Sequence, residues 1–268
     1  MLGLIALTLL AVLAIMVPAL APDAWLAAEL SVSRQPPSLT HWFGTDQAGH
    51  DLLVRCLQGL RISLLIAMVS AATAAAIGIV LGTLAAAVGG WVDAVLMRLT
   101  DTVNALPQLM IGVIIVALFS GSIPALVAAV ALTHWPPIAR VVRAEAVVVA
   151  QSQWVDAARL AGLPPWRTWA NHLLPAVARQ TTTAVLVMVP HAVWHESTLS
   201  FLGLGLPPTA ASLGVLLEQA RGEVLLGNWW MLVFPAGLLV AATLAIAALG
   251  RGGPSVRGTT ITSARWSQ

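Results

Sequence analysis

Long apolar runs alternate along this chain with short polar stretches, and about 20 apolar residues carry a helix across a bilayer. The pattern predicts six spans, at about 2–21, 62–88, 103–120, 123–143, 176–200 and 229–249. The third and fourth are near neighbours, parted by Ser120-Gly121-Ser122, with Pro124 opening the next helix. Gly78 and Gly82 in the second span have the GxxxG spacing that lets helices approach closely, and they read as packing residues. Polar stretches fall at 22–61, 156–175 and 203–228, and the tail after Gly250 is rich in Gly, Ser, Thr and Arg. The organisation expected is a first helix with an outer polar segment (1–61), a core of 62–250 that includes a polar loop at 154–175, and a loose tail at 251–268.

Composition narrows this to an all-α polytopic membrane protein. The chain is 59% hydrophobic and 9% charged, against about 25% charged in soluble domains. A soluble chain of this length could not cover such a core with polar surface. All 13 basic residues are arginine, so the lysine that a P-loop ATPase places on its phosphates is missing. No basic run with interleaved aromatics points to nucleic acid. The single cysteine, Cys56, excludes an internal disulfide and a cysteine-based metal site. Ala19-Leu20-Ala21 resembles a signal-peptidase site, but no arginine precedes the apolar run and Pro22 would follow the cut, so Met1–Ala21 reads as a first membrane helix.

Arginine also gives an orientation. With the N-terminus cytoplasmic, nine arginines fall inside (Arg98, Arg140, Arg143, Arg159, Arg167, Arg179, Arg251, Arg257, Arg265) and four outside (Arg34, Arg55, Arg61, Arg221). That asymmetry fits the positive-inside rule and puts both termini and the 156–175 loop on the cytoplasmic side.

This loop has its own physical logic. Asp156 suits the positive end of a helix opening there, and Ala157 and Ala158 keep one face small enough for close approach by another protein. Gly162 with Pro164-Pro165 stops the helix. Trp166 and Trp169 offer aromatic anchors, and Pro175 marks re-entry to the membrane. An amphipathic helix lying on the membrane without a partner would show much the same pattern.

Asp156-Ala157-Ala158-Arg159-Leu160-Ala161-Gly162, with His172-Leu173-Leu174-Pro175 following, resembles the EAA loop of ABC-importer permeases. Gly44-Thr45-Asp46-Gln47-Ala48-Gly49-His50-Asp51, then Arg55 and Gly59-Leu60-Arg61-Ile62-Ser63-Leu64, is similar to the GTD signature of the dipeptide, oligopeptide and nickel group. Two further matches follow in the family's order, from Gly89-Gly90-Trp91-Val92-Asp93 through Met97-Arg98 and Asp101 to Pro107, and at Leu199-Ser200-Phe201-Leu202-Gly203-Leu204-Gly205. The chain departs from the pattern in Asp156 for Glu, in His172 for an aliphatic residue and in His50 for arginine. The basic stretch before the first helix and the Gly-Asp-x-Leu-Arg-Asp tail are also missing.

The resemblance is to a second-permease (C-type) subunit and implies the type I importer (MetI-like) fold with six membrane helices. It also implies an inner-membrane location, a related permease as the other half of the pore, two ATP-binding subunits below, and a periplasmic or lipid-anchored solute-binding protein above. This chain would bind no cofactor and do no covalent chemistry, since ATP and magnesium would sit on the partner subunits. Asp156, Ala157, Ala158, Arg159, Gly162, Leu163 and Trp166 would couple to an ATPase, whose closure would open the pore outward.

The histidines bear on the cargo. His191 and His195 are four apart in the fifth span and share a helix face, with Glu196 beside it. Ionisable groups in a membrane helix face a partner helix or a water-filled path, and i, i+4 imidazoles are a common metal-ligand spacing. A zincin motif fails, because Leu199 stands where its second histidine would be. Hydrogen bonding to a neighbouring helix is the competing account of the pair. His134, His191, His195 and Glu196 are therefore the candidates for the substrate path, with His191 and His195 as tentative metal ligands. Nickel-type permeases carry a similar His-x-x-x-His, which leans the cargo towards nickel or a metal chelate, with a di- or oligopeptide as the alternative; Glu196 fits the peptide-type pattern better. A secondary transporter, with Asp101 and Glu196 as its acids, a membrane-embedded enzyme and a purely structural subunit are the rival classes.

Overall fold

The computed structural model describes residues 2–21, 27–119, 121–207 and 209–251. Eleven helices are described: α1 (Leu2–Leu20), α2 (Leu52–Val88), α3 (Gly90–Ala105), α4 (Gln108–Leu118), α5 (Ile123–Ala150), α6 (Gln153–Leu160), α7 (Pro165–Thr168), α8 (Leu174–Gln180), α9 (Thr182–Phe201), α10 (Leu213–Leu225) and α11 (Trp230–Arg251). A π-helical turn, Trp169–Leu173, joins α7 to α8, and a 3-10 turn covers Leu30–Val32. Beyond Arg251, the tail expected at 251–268 lies outside the described residues.

Three predicted spans need new limits. The second helix begins at Leu52, ten residues before the expected start, because the Asp51 side chain accepts from the Val54 N–H at 3.1 Å and caps it. Leu52, Val54, Cys56 and Leu60 are buried in that added stretch, which packs despite Arg55 and Arg61. The third span is two helices, α3 and α4, bent by 85° at Leu106-Pro107, since a proline cannot continue a helical ladder. The fourth continues to Ala150.

Four described helices are long and apolar enough to cross a membrane, namely α1, α2, α5 and α11, and α3 with α4 makes a fifth if taken as one span. α9 is not among them: His191, His195, Glu196 and its hydroxyl residues make it too polar over its 20 residues. Six apolar spans are therefore not all evident from length and composition.

The two longest helices, α2 and α5, form the central packing. A Cβ on Gly78 would lie 2.8 Å from Ile138 and 3.0 Å from the Trp135 carbonyl oxygen, and one on Gly82 would lie 2.6 Å from the Ala139 carbonyl oxygen. The GxxxG pair is thus a backbone-to-backbone contact. Around it α1, α9 and α11 pack on the first half of α2 through Leu60, Ala67, Ala71, Ala192 and Leu239. Towards the far end, Ile138, Val142, Leu173 and Val177 tie the 153–180 segment to α2 and α5.

A polar cap closes the end of the bundle where α2 begins. Asp46 is 1% exposed. It accepts from the Ala48 N–H (2.8 Å) and the His50 N–H (2.9 Å), and it pairs with the guanidinium of Arg55 and the ring of His50. Burial pushes the Asp46 carboxyl up, but Arg55 and His50 outweigh it and hold it below the usual carboxylate range. Gly49, at φ +84°, lies so near Glu29 that a side chain would meet its carbonyl oxygen at 1.9 Å. The Trp230 indole N–H donates to the Thr45 carbonyl, and Arg34 forks onto Glu223 with two bonds of 2.8 Å. The segment read from the sequence as a GTD signature is therefore a knot joining α2, α10 and α11.

Candidate coupling surface and polar path

At the opposite end of α2, the 153–175 loop is folded as its residue types demand. α6 turns Val155 inward, 1% exposed, and presents Asp156, Ala157 and Leu160 outward. Its C-terminus closes with Gly162 at φ +80° and the Leu163 N–H bonded to the Ala158 carbonyl at 3.2 Å, a Schellman arrangement that favours glycine. Pro164 then starts α7 by accepting from the Arg167 N–H at 2.9 Å. Trp166 is 63% exposed, and the Arg167 guanidinium stacks 5.1 Å over its ring.

Of the residues expected to couple, Asp156, Ala157 and Leu160 on α6, Gly162 at its end and Trp166 beyond it are exposed. Ala158 and Leu163 are half-buried behind them. Arg159 lies on α6, but its side chain is outside the described residues, as is that of His172. Leu160, 89% exposed, is an apolar side chain offered to solvent on a short helix. Behind the loop lies a half-open apolar hollow of about 560 Å³ against Leu84, Val88 and Ala150.

The histidines divide. His134 on α5 is 4% exposed, with Nδ1 2.8 Å from the Val130 carbonyl oxygen, so Nδ1 carries the proton and donates. Its Nε2 is buried without a hydrogen-bond partner. The His195 ring stands edge-on to it, with centroids 4.5 Å apart at 84°. His191, one turn earlier on α9, is exposed, and its Nδ1 lies 3.2 Å from the Val187 carbonyl oxygen. Among the described residues, no three His, Cys, Asp or Glu side chains converge as a metal site. The tentative metal pair therefore has no third protein ligand there: His195 turns to His134, while His191 turns outward.

Glu196 stands apart from the two histidines. It is 0% exposed and buried on the other side of α9, accepting from Ser200 Oγ at 3.0 Å and from Ser197 Oγ at 3.2 Å. Near it, Ser63 Oγ on α2 accepts from the Leu213 N–H and Ser212 Oγ caps α10 by accepting from the Val215 N–H, both at 3.2 Å. Asp101, the other acid a secondary transporter would need, is paired with Arg140 at the surface.

Residues 78–251 match the family described as the binding-protein-dependent transport system inner membrane component. The chain belongs to this family of ABC-importer permeases. Among its relatives, the dipeptide transport system permease protein DppC of Bacillus subtilis is 33% identical over 252 residues, 94% of this chain and 79% of the relative. A putative peptide permease protein of Brucella suis is 36% identical over 225 residues, 84% of this chain and 74% of that protein. A putative peptide transport system permease protein of the same organism is 34% identical over 250 residues, 93% and 84% of the two chains. The permease is thus a multi-pass inner-membrane component of a binding-protein-dependent transport system.

Proposed function

We propose that this permease forms half of the pore of an ATP-driven importer for di- or oligopeptides handed over by a solute-binding protein. The observation that carries the cargo class is the 33% identity, across nearly the whole chain, to a permease named for dipeptide transport. The lean towards nickel or a metal chelate is given up. The relatives described above are named for peptides, and the histidine pair has no third ligand among the described residues. ATP and its magnesium belong to two partner subunits, and a second, related permease completes the pore. The loop at 153–175 faces the cytoplasm with both termini, and its outward surface of Asp156, Leu160, Gly162 and Trp166 rests in a groove of one ATPase. Cargo passes along the side of α9 that carries His191 and His195, because an exposed imidazole such as that of His191 on a membrane helix needs water or a partner rather than lipid.

In proteoliposomes holding both permeases, both ATPases and the cognate binding protein, we expect ATP-dependent accumulation of radiolabelled dipeptide. A nickel–histidine chelate is expected to stay at the level without ATP. Accumulation of the chelate with no accumulation of peptide would overturn the cargo assignment.

A further inference from the structure

The hollow behind the 153–175 loop is walled by the last turns of α2 and α5, through Leu84, Val88 and Ala150, and by Val155, Trp169 and Leu173 of the loop. Those turns end two helices long and apolar enough to cross a membrane. On the orientation proposed above, the hollow therefore lies where the cytoplasmic leaflet meets water. It is half-open, apolar and about 560 Å³, a volume typical of ligand sites. Water is a poor occupant for such walls, since apolar surface left facing it is unfavourable.

Two polar groups at the hollow lack partners. Trp169 lines the wall, and its indole N–H is buried without a hydrogen-bond partner, whereas a buried indole ordinarily finds an acceptor. Beside the hollow, the Arg167 guanidinium stacks 5.1 Å over the ring of Trp166, another lining residue. Among the described residues no carboxylate pairs with Arg167. Asp93 and Asp101 are already taken by Arg143 and Arg140. An apolar wall, a donor without an acceptor and a cation without an anion, all at the boundary of a leaflet, are complementary to an acyl chain, an ester carbonyl and a phosphate.

We propose that this hollow binds an anionic phospholipid of the cytoplasmic leaflet. One acyl chain lies between α2 and the loop, an ester carbonyl oxygen accepts from the Trp169 N–H, and the phosphate sits on Arg167. The site rests on the membrane orientation proposed above and has no part in holding cargo. The lipid fills the space behind the helix offered to the ATPase.

The test uses the complete transporter in phosphatidylethanolamine vesicles doped with a phosphatidylglycerol or a phosphatidylcholine that carries a photoreactive acyl chain. After illumination, peptide mass spectrometry reads the label on residues 84–88 and 163–173. We expect phosphatidylglycerol to label them about fivefold more than phosphatidylcholine, the scale of one arginine facing an anionic lipid. Ala87→Trp, at a lining position, puts a ring into the hollow and is expected to cut labelling by both lipids about tenfold, as the buried chain is displaced. Arg167→Gln should bring phosphatidylglycerol down to the level of phosphatidylcholine. Trp169→Phe keeps a ring but removes the donor, and a loss of about threefold is expected. Undiminished labelling in assembled Ala87→Trp, or a kept preference for phosphatidylglycerol in Arg167→Gln, would overturn the proposal; the second carries the test if Ala87→Trp fails to assemble. Intact labelling of a transporter that hydrolyses ATP but accumulates no dipeptide would instead overturn the proposed function and leave the lipid site standing.

Discussion

Transporters carrying Gly162→Asp are expected to insert and assemble normally and to lose uptake by about tenfold or more. Nothing lies within 4 Å of a Cβ built on Gly162, so the aspartate meets no clash within the chain. Its effects come from two other sources. At φ +80° an L-residue is strained, by roughly 1–2 kcal/mol for most side chains and less for Asp or Asn. The new carboxylate also sits at the C-terminal, negative end of α6, on the surface offered to the ATPase, where an unpaired charge must be desolvated on docking. Gly162→Asn separates these sources, since it tolerates the left-handed backbone but adds no charge, and it is expected to keep most of the uptake. Normal uptake by Gly162→Asp at normal expression would remove α6 from the coupling role.

Gly82→Leu is expected to prevent recovery of folded protein. Its Cβ would meet the Ala139 carbonyl oxygen at 2.6 Å and Val142 at 2.8 Å, and a backbone oxygen cannot step aside as a side chain can. Overpacking of this kind costs about 1–3 kcal/mol in adaptable cores, and two long helices in backbone contact adapt poorly. Gly237→Leu on α11, where nothing lies within 4 Å of the added Cβ, serves as the neutral counterpart. Thermal unfolding in detergent, followed by loss of the monodisperse species, compares the two. Equal stability would show that α2 and α5 can separate, contrary to the packing described.

Much of this was legible because a membrane enforces it. Spans of apolar residues have to be helices, and a glycine before Pro164-Pro165 has to end one, so α1, α5, α6 and α11 followed from the residues. The limits of α2 were less legible: Leu52–Arg61 mixes polar and apolar residues, and only the capping bond from Asp51 to Val54 turns it into the first turns of a long helix. The break between α3 and α4 was signalled by Pro107, but its angle depends on packing that no local pattern records. The surroundings of Glu196 were the least legible. The spacing puts it beside the face of His191 and His195, but that it is 0% exposed depends on the helices packed there, which no local pattern records. A serine one residue on and another four residues on, Ser197 and Ser200, were the local signal that this acid is satisfied by hydroxyls.

If the 153–175 loop is the handle gripped by an ATPase subunit, cysteine cross-linking will join the two. The native Cys56 is buried and stays silent. Leu160→Cys, at a site 89% exposed on α6, and Leu39→Cys, at one 96% exposed on the polar cap, place single thiols at opposite ends of the bundle. In the assembled transporter, Leu160→Cys is expected to give a permease–ATPase cross-link whose yield changes with ATP, and Leu39→Cys none. A cross-link to the ATPase from Leu39→Cys, with none from Leu160→Cys, would contradict both the orientation and the coupling role.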